Sequence, residues 1–155
     1  MTSLRPVSLR CEYLAAPRGL STPRPRLSWS LAGDEDDLVQ QAFRIVAGTN
    51  RAAVAAGQGD LWDSGWQDGA DTLWHALGAA DLPSDLVFWW TVALRDGAGR
   101  DTAPAAPCRV MTGLLHPQDW QAQWIARYFV LPAGREAPAD DTYDNPWQAR
   151  PADHL

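Results

Sequence analysis

Between residues 60 and 74, Trp62, Trp66 and Trp74 are interleaved with Asp60, Asp63, Asp68 and Asp71. An indole face stacks on the apolar side of a pyranose ring while carboxylates accept its hydroxyl protons, so this pattern suits a sugar platform. Trp66, Asp68 and Asp71 are the candidate carbohydrate contacts, because residues 65–72 read as a loop and Trp66 as its exposed aromatic. The competing reading packs Trp62 and Trp74 in or beside the core and leaves the aspartates in turns. The same aspartates do not make an acid and base pair. Nothing in the sequence raises one carboxylate's pKa over another's, and a solvated turn carboxylate holds no proton at neutral pH.

Other chemistries find less support. Asp34, Glu35, Asp36 and Asp37 form an acidic run without the alternating oxygen ligands and glycine turn of a calcium loop, so a solvated hairpin tip is expected. His75, His116 and His154 are scattered, and no Cys or His pair has metal-ligand spacing. The glycine pairs Gly57/Gly59 and Gly97/Gly99 lack a phosphate-loop context. No metal, cofactor or catalytic residue is therefore assigned. The net charge is −6, and all 13 basic residues are Arg, which argues against nucleic acid and anionic membrane as partners. No run approaches the length of a membrane span. Residues 1–10 lack an apolar h-region, so a cytoplasmic location is expected.

The elements that must position these residues are strands. Residues 87–96 alternate Phe88, Trp90, Val92 and Leu94 against Trp89, Thr91, Ala93 and Arg95, which predicts a half-buried strand with the first set inward. Asp96-Gly97 ends it, and residues 107–113 supply a partner. Residues 27–31 alternate Leu27, Trp29 and Leu31 against two serines, and residues 40–47 set Phe43 and Ile45 against Arg44. Residues 7–13, 61–64 and 73–77 complete seven short strands. Asn50 before an Ala-rich run and Gly57 after it predict one or two helical turns, as a connector. This is an all-β fold, an immunoglobulin-like or fibronectin type III-like sandwich. Cys11 and Cys108, in its first and last strands, are either a disulfide or, in preference, two buried thiols.

Several blocks in order now carry a resemblance: Leu9-Arg-Cys-Glu-Tyr-Leu14, Pro25-Arg-Leu-Ser-Trp29, Gln41-Ala-Phe-Arg-Ile-Val46, Asp60-Leu-Trp-Asp-Ser-Gly65, Trp90-Thr-Val92, Gly113-Leu-Leu115 and Asp119-Trp-Gln-Ala-Gln-Trp-Ile125. Together they resemble the N-terminal domain of bacterial α-L-rhamnosidases of glycoside hydrolase family 78. The resemblance implies a non-catalytic fibronectin type III-like scaffold, followed by further β-domains and an (α/α)6 barrel that holds the catalytic acids. Such enzymes hydrolyse terminal α-L-rhamnosyl linkages with inversion, and the resemblance places both acids beyond Leu155. One departure is Ala16-Pro-Arg-Gly-Leu20, where the family often reads Asn-Pro-Leu-Gly-Ile.

The expected organisation is a sandwich over residues 1–113, a packed linker over 114–125, and the incomplete start of a second β-domain over 126–155. The Pro-rich last stretch shows no period, so the chain reads as the N-terminal part of a longer design. Trp120 and Trp124 are candidate docking residues for the downstream domains of the parent hydrolase, since inter-domain faces are rich in such aromatics. Rhamnose-containing glycans are the other candidate partners, and the alternative to the scaffold role is a free-standing carbohydrate-binding β-sandwich module. A protein-binding sandwich using its edge strands is a third alternative.

Overall fold

The computed structural model describes residues 4–33, 39–78 and 80–123. The strands among them are β1 Arg5–Cys11, β2 Arg18–Leu20, β3 Arg26–Ala32, β4 Gln40–Gly48, β5 Trp62–Asp63, β6 Gln67–Asp68, β7 His75–Ala76, β8 Val87–Asp96 and β9 Cys108–Thr112. One short helix, α1 at Arg51–Ala55, follows β4. One sheet has the order β1-β3-β7 and the other β2-β9-β8-β4-β5, with β6 also paired to β4. Neighbours are antiparallel except β2 and β9, which run parallel.

The inward face of β8 makes the core. Phe88, Trp90, Val92 and Leu94 are all fully buried, as the alternation requires. Leu94 pairs with Phe43, Val92 with Ile45 and Trp90 with Ala47, so the inward faces of β8 and β4 run side by side. Leu27 and Trp29 of β3 and Cys11 of β1 close the same cluster from the opposite sheet. Each large apolar side chain taken fully out of water here stabilises the fold by about 1.5–3 kcal/mol. Arg95 lies on the other face of β8 with its side chain partly exposed.

The connector helix forms where its cap residues stand. Asn50 Oδ1 accepts from the backbone N–H groups of Ala52 and Ala53 at 2.9 and 3.1 Å, satisfying two donors that the helix itself leaves free. Gly57, at φ +76, takes the left-handed turn that ends it. Val54 is fully buried, so even this short helix contributes to the packing.

The structure departs from the expected strands in four places. β2 and β6 were not expected, since strands of three and two residues carry no period. β6 also falls inside the stretch 65–72 that reads as a loop. Leu31 is 36% exposed while Ser28 is buried, because the inward alternation stops at Trp29. β7 covers β3 only at Arg26 and Leu27, and Leu31 lies past that cover. The acidic run at residues 34–37 lies outside the described residues.

Cys11 and Cys108 are free, the first buried and the second partly so. Burial, helped by the neighbouring Cys108 and Glu12, pushes the Cys11 thiol up to about 12, so it is unreactive at neutral pH. Met1–Gln121 forms one compact unit. The second β-domain expected from residue 126 lies outside the described residues.

Ala16 has φ +50, in the left-handed region that costs an L-residue with a Cβ roughly 1–2 kcal/mol and that Asn tolerates. Its side chain is exposed, so a larger polar group meets solvent. Ala16→Asn, which restores the residue often found in the resembled family, should raise unfolding stability by about 1 kcal/mol in urea titration. A loss of stability would show that this turn is not strained.

Candidate functional site

Gln40 is the side chain that positions the stretch carrying Trp66, Asp68 and Asp71. It opens β4 and is 1% exposed. Its Oε1 accepts from Trp29 Nε1 at 3.0 Å. Its Nε2 donates to the carbonyls of Gly69 at 3.0 Å and Asp71 at 3.2 Å. The Thr72 carbonyl accepts from the Trp29 backbone N–H at 3.0 Å, and Gly69 N–H donates to Gln41 at 2.8 Å. With Gln67 paired to Phe43 and Asp68 to Ala42, the stretch is bonded to both β3 and β4. It is a sheet edge rather than a free loop.

Trp66 is half-buried, not the exposed aromatic expected there. The Arg95 guanidinium lies 4.3 Å from its ring centroid and is fixed by Asp101, whose carboxylate accepts at 2.6 and 3.1 Å. The charge of Asp68, after the Asp101 hydrogen bond, helps to raise the Arg95 pKa. Trp66 and Asp68 are thus brought together around Arg95, and one face of the indole is taken by a cation. Asp71 is exposed, but its carbonyl serves Gln40 and lies 2.9 Å from His75 Nε2.

The other two tryptophans part company. Trp62 is half-buried and packs against the core. Trp74, a core candidate by sequence, is 57% exposed. It has φ +69, a left-handed backbone that breaks the strand alternation just before β7. No pattern in the sequence reports a positive φ at a tryptophan.

Three aspartates near this stretch or on the same ladder are held by hydrogen bonds. Asp63 accepts from Arg44 Nε at 2.9 Å and from Gly65 N–H at 2.9 Å. Asp60 accepts from the Thr49 hydroxyl and backbone N–H. Asp96, almost fully buried, accepts from Arg100 N–H at 2.8 Å, Arg100 Nε at 2.7 Å and Ala98 N–H at 2.9 Å. The Thr49 bonds hold Asp60 below the usual carboxylate range, the Arg44 fork does so for Asp63, and the Arg100 bonds for Asp96. A general acid at neutral pH needs the opposite shift. Among the described residues no three His, Cys, Asp or Glu side chains gather to hold a metal.

At the C-terminal end, Ser84 Oγ accepts from Leu115 N–H at 2.7 Å and donates to Asp119. Asp119 also accepts from His116 N–H at 3.1 Å, which fixes the 3-10 turn Pro117–Asp119. Leu114 and Trp120 stand outside it, 48% and 63% exposed. Trp124 lies outside the described residues.

Residues 6–116 match the family model described as Rha78A-like, N-terminal immunoglobulin domain. The chain belongs to that family. It is similar to an α-L-rhamnosidase from Streptomyces avermitilis, 30% identical over 126 residues that make up 81% of this chain and 12% of the relative. One from Formosa agariphila is 29% identical over 116 residues, 74% of this chain and 12% of the relative. The crystal structure of the Streptomyces avermitilis α-L-rhamnosidase complexed with L-rhamnose superposes with a TM-score of 0.74, at 30% identity, over 80% of this chain and 12% of that one. An α-L-rhamnosidase structure from Dictyoglumus thermophilum shares the fold, with a TM-score of 0.73 at 24% identity over 79% of this chain and 14% of that one. The immunoglobulin domain therefore spans about an eighth of the curated relatives it matches.

Gln40→Leu tests the positioning of the 65–72 edge. It leaves Trp29 Nε1 and the Gly69 carbonyl without these partners, at a cost of about 1–3 kcal/mol for each buried group left unsatisfied. Urea titration should show that loss, and the Gly69 N–H should exchange with solvent far faster than in the parent chain. An unchanged exchange rate would mean that the edge does not depend on Gln40.

Proposed function

We propose that this immunoglobulin domain is the non-catalytic N-terminal scaffold of an α-L-rhamnosidase, and that hydrolysis of terminal α-L-rhamnosides with inversion belongs to later domains. The observation that carries this reading is the coverage. The relatives named for that activity match along most of this chain, and this chain accounts for 12% of each. The chemistry agrees with it. Inverting hydrolysis needs a protonated acid and a base roughly 6.5–9.5 Å apart, and every shift resolved among the described carboxylates is downward.

In this reading Trp120 and Trp124 dock the downstream domains. The exposure of Trp120 and Leu114 beside the ordered Ser84–Asp119 turn supports it, since a fixed apolar group loses little freedom on docking. Contact of Trp66, Asp68 and Asp71 with a rhamnose-containing glycan has weaker support, because Arg95 covers one face of Trp66. Neither nucleic acid nor an anionic membrane suits a chain of net charge −6 whose Arg24, Arg26, Arg44, Arg95 and Arg100 are each paired with a carboxylate.

The purified chain should show no turnover of aryl α-L-rhamnosides above the blank, whereas the full-length gene product should turn them over. Activity of the isolated chain that survives purification and vanishes on Asp63→Asn or Asp71→Asn would overturn the scaffold role. Chemical-shift changes at the Trp66 indole on titration with methyl α-L-rhamnoside would favour the carbohydrate-binding alternative.

A further inference from the structure

The outer face of the β1-β3-β7 sheet carries an aromatic cluster with no role in the proposals above. Leu27 faces the core and Arg26, its neighbour, faces out. The Arg26 guanidinium lies 4.3 Å from the Trp74 ring centroid and 5.9 Å from that of Tyr13. Tyr13 and Trp74 meet edge to face at 5.3 Å. Glu12 clamps the guanidinium from the side, accepting from Nε at 3.1 Å and Nη2 at 2.7 Å, and also accepts from the Arg26 N–H at 2.6 Å.

We infer that this face is a second docking surface, and that its occupant is an apolar face of a later domain of the same, longer polypeptide. The inference rests on the scaffold reading and adds a partner surface to it. Tyr13, Leu14, Leu73 and Trp74 are 51%, 54%, 55% and 57% exposed, with Tyr13 and Trp74 in contact, and contiguous exposed apolar groups mark interaction surfaces. Tyr, Trp and Arg are also the residue types that dominate interface cores.

The backbone adds an independent observation. Glu12, Tyr13 and Trp74 have φ of +48, +65 and +69, a conformation disfavoured for side chains with a Cβ. Such strain persists where the surrounding structure over-determines it, and it gathers at functional surfaces. The rings themselves are held by their edge-to-face contact and by the Arg26 guanidinium over Trp74.

The chemistry of the patch selects the occupant. Glu12 and Arg26 cancel in charge, both Glu12 oxygens are engaged, and one face of Trp74 is covered by the guanidinium. The one carboxylate in the patch is taken, and the large exposed side chains around it, Tyr13, Leu14, Leu73 and Trp74, are aromatic and aliphatic. The relatives carry almost nine-tenths of their length outside the matched region. A domain tethered in the same chain arrives at high effective concentration, so a modest apolar patch suffices to hold it.

Hydroxyl-radical footprinting of the full-length polypeptide beside the 155-residue chain tests this directly. Oxidation of Tyr13 and Trp74 should fall at least five-fold in the full-length protein, with Trp66 unchanged. Trp74→Gly, which relaxes the left-handed position, should leave the isolated chain folded and abolish the protection of Tyr13 in the full-length protein. Equal oxidation in both proteins overturns the inference, as does Tyr13 protection that survives Trp74→Gly. So does protection already present in the short chain, whether constant with concentration, as for its own tail, or rising with it, as for a second copy. A full-length protein that cleaves rhamnosides with both residues unprotected would defeat the docking surface and leave the scaffold role standing. One that protects them without cleaving rhamnosides would do the reverse.

Discussion

The β4–β8 ladder is the constraint on which the rest of this domain depends. Its paired inward residues, Phe43 with Leu94, Ile45 with Val92 and Ala47 with Trp90, form one wall of a core that Leu27 and Trp29 close from the other sheet. Because side chains alternate with a period of two, a slip of one residue would send that whole set to solvent. The same ladder places Arg44 and Arg95 on the opposite face, where they meet Asp63, Asp101 and Trp66. The polar surface is thus a consequence of the core's register.

Within that frame a few buried polar groups fix what the apolar packing leaves free. Gln40 joins the Trp29 indole to the 65–72 edge, and Asp96 gathers two backbone N–H groups and Arg100 into the turn after β8. Trp90 Nε1 is the exception, a buried donor with no hydrogen-bond partner among the described residues. The Cys108 sulfur beside it is a weak acceptor. Gln40 and Asp96 stiffen the domain, and every shift resolved among the described carboxylates is downward.

Much of this was legible in the chain. Period-two alternation located the inward face of β8 and the core residues of β4, and Asn50 and Gly57 marked the ends of α1. The ordered blocks from Leu9 to Ile125 pointed to the family that the comparisons then showed. What escaped has physical reasons. β2 and β6 are held by backbone hydrogen bonds to β9 and β4, and strands that short have no pattern of their own. Trp66 reads as exposed from the sequence alone, which does not reveal Arg95, far along the chain, folding over it. Trp74 and Tyr13 turn outward through positive φ angles that are ordinarily the province of glycine and asparagine.

In the scaffold role proposed for it, the domain supports an enzyme's structure and leaves the chemistry to other domains. Removing residues 1–121 from the full-length polypeptide tests it most directly, with kcat on an aryl α-L-rhamnoside and the melting temperature measured on the same preparation. Loss of a scaffold should give a lower melting temperature, together with a kcat that stays within a few-fold of the parent below that temperature. A truncated protein that remains folded by circular dichroism yet has lost turnover altogether would contradict it, and would place part of the active site in this immunoglobulin domain.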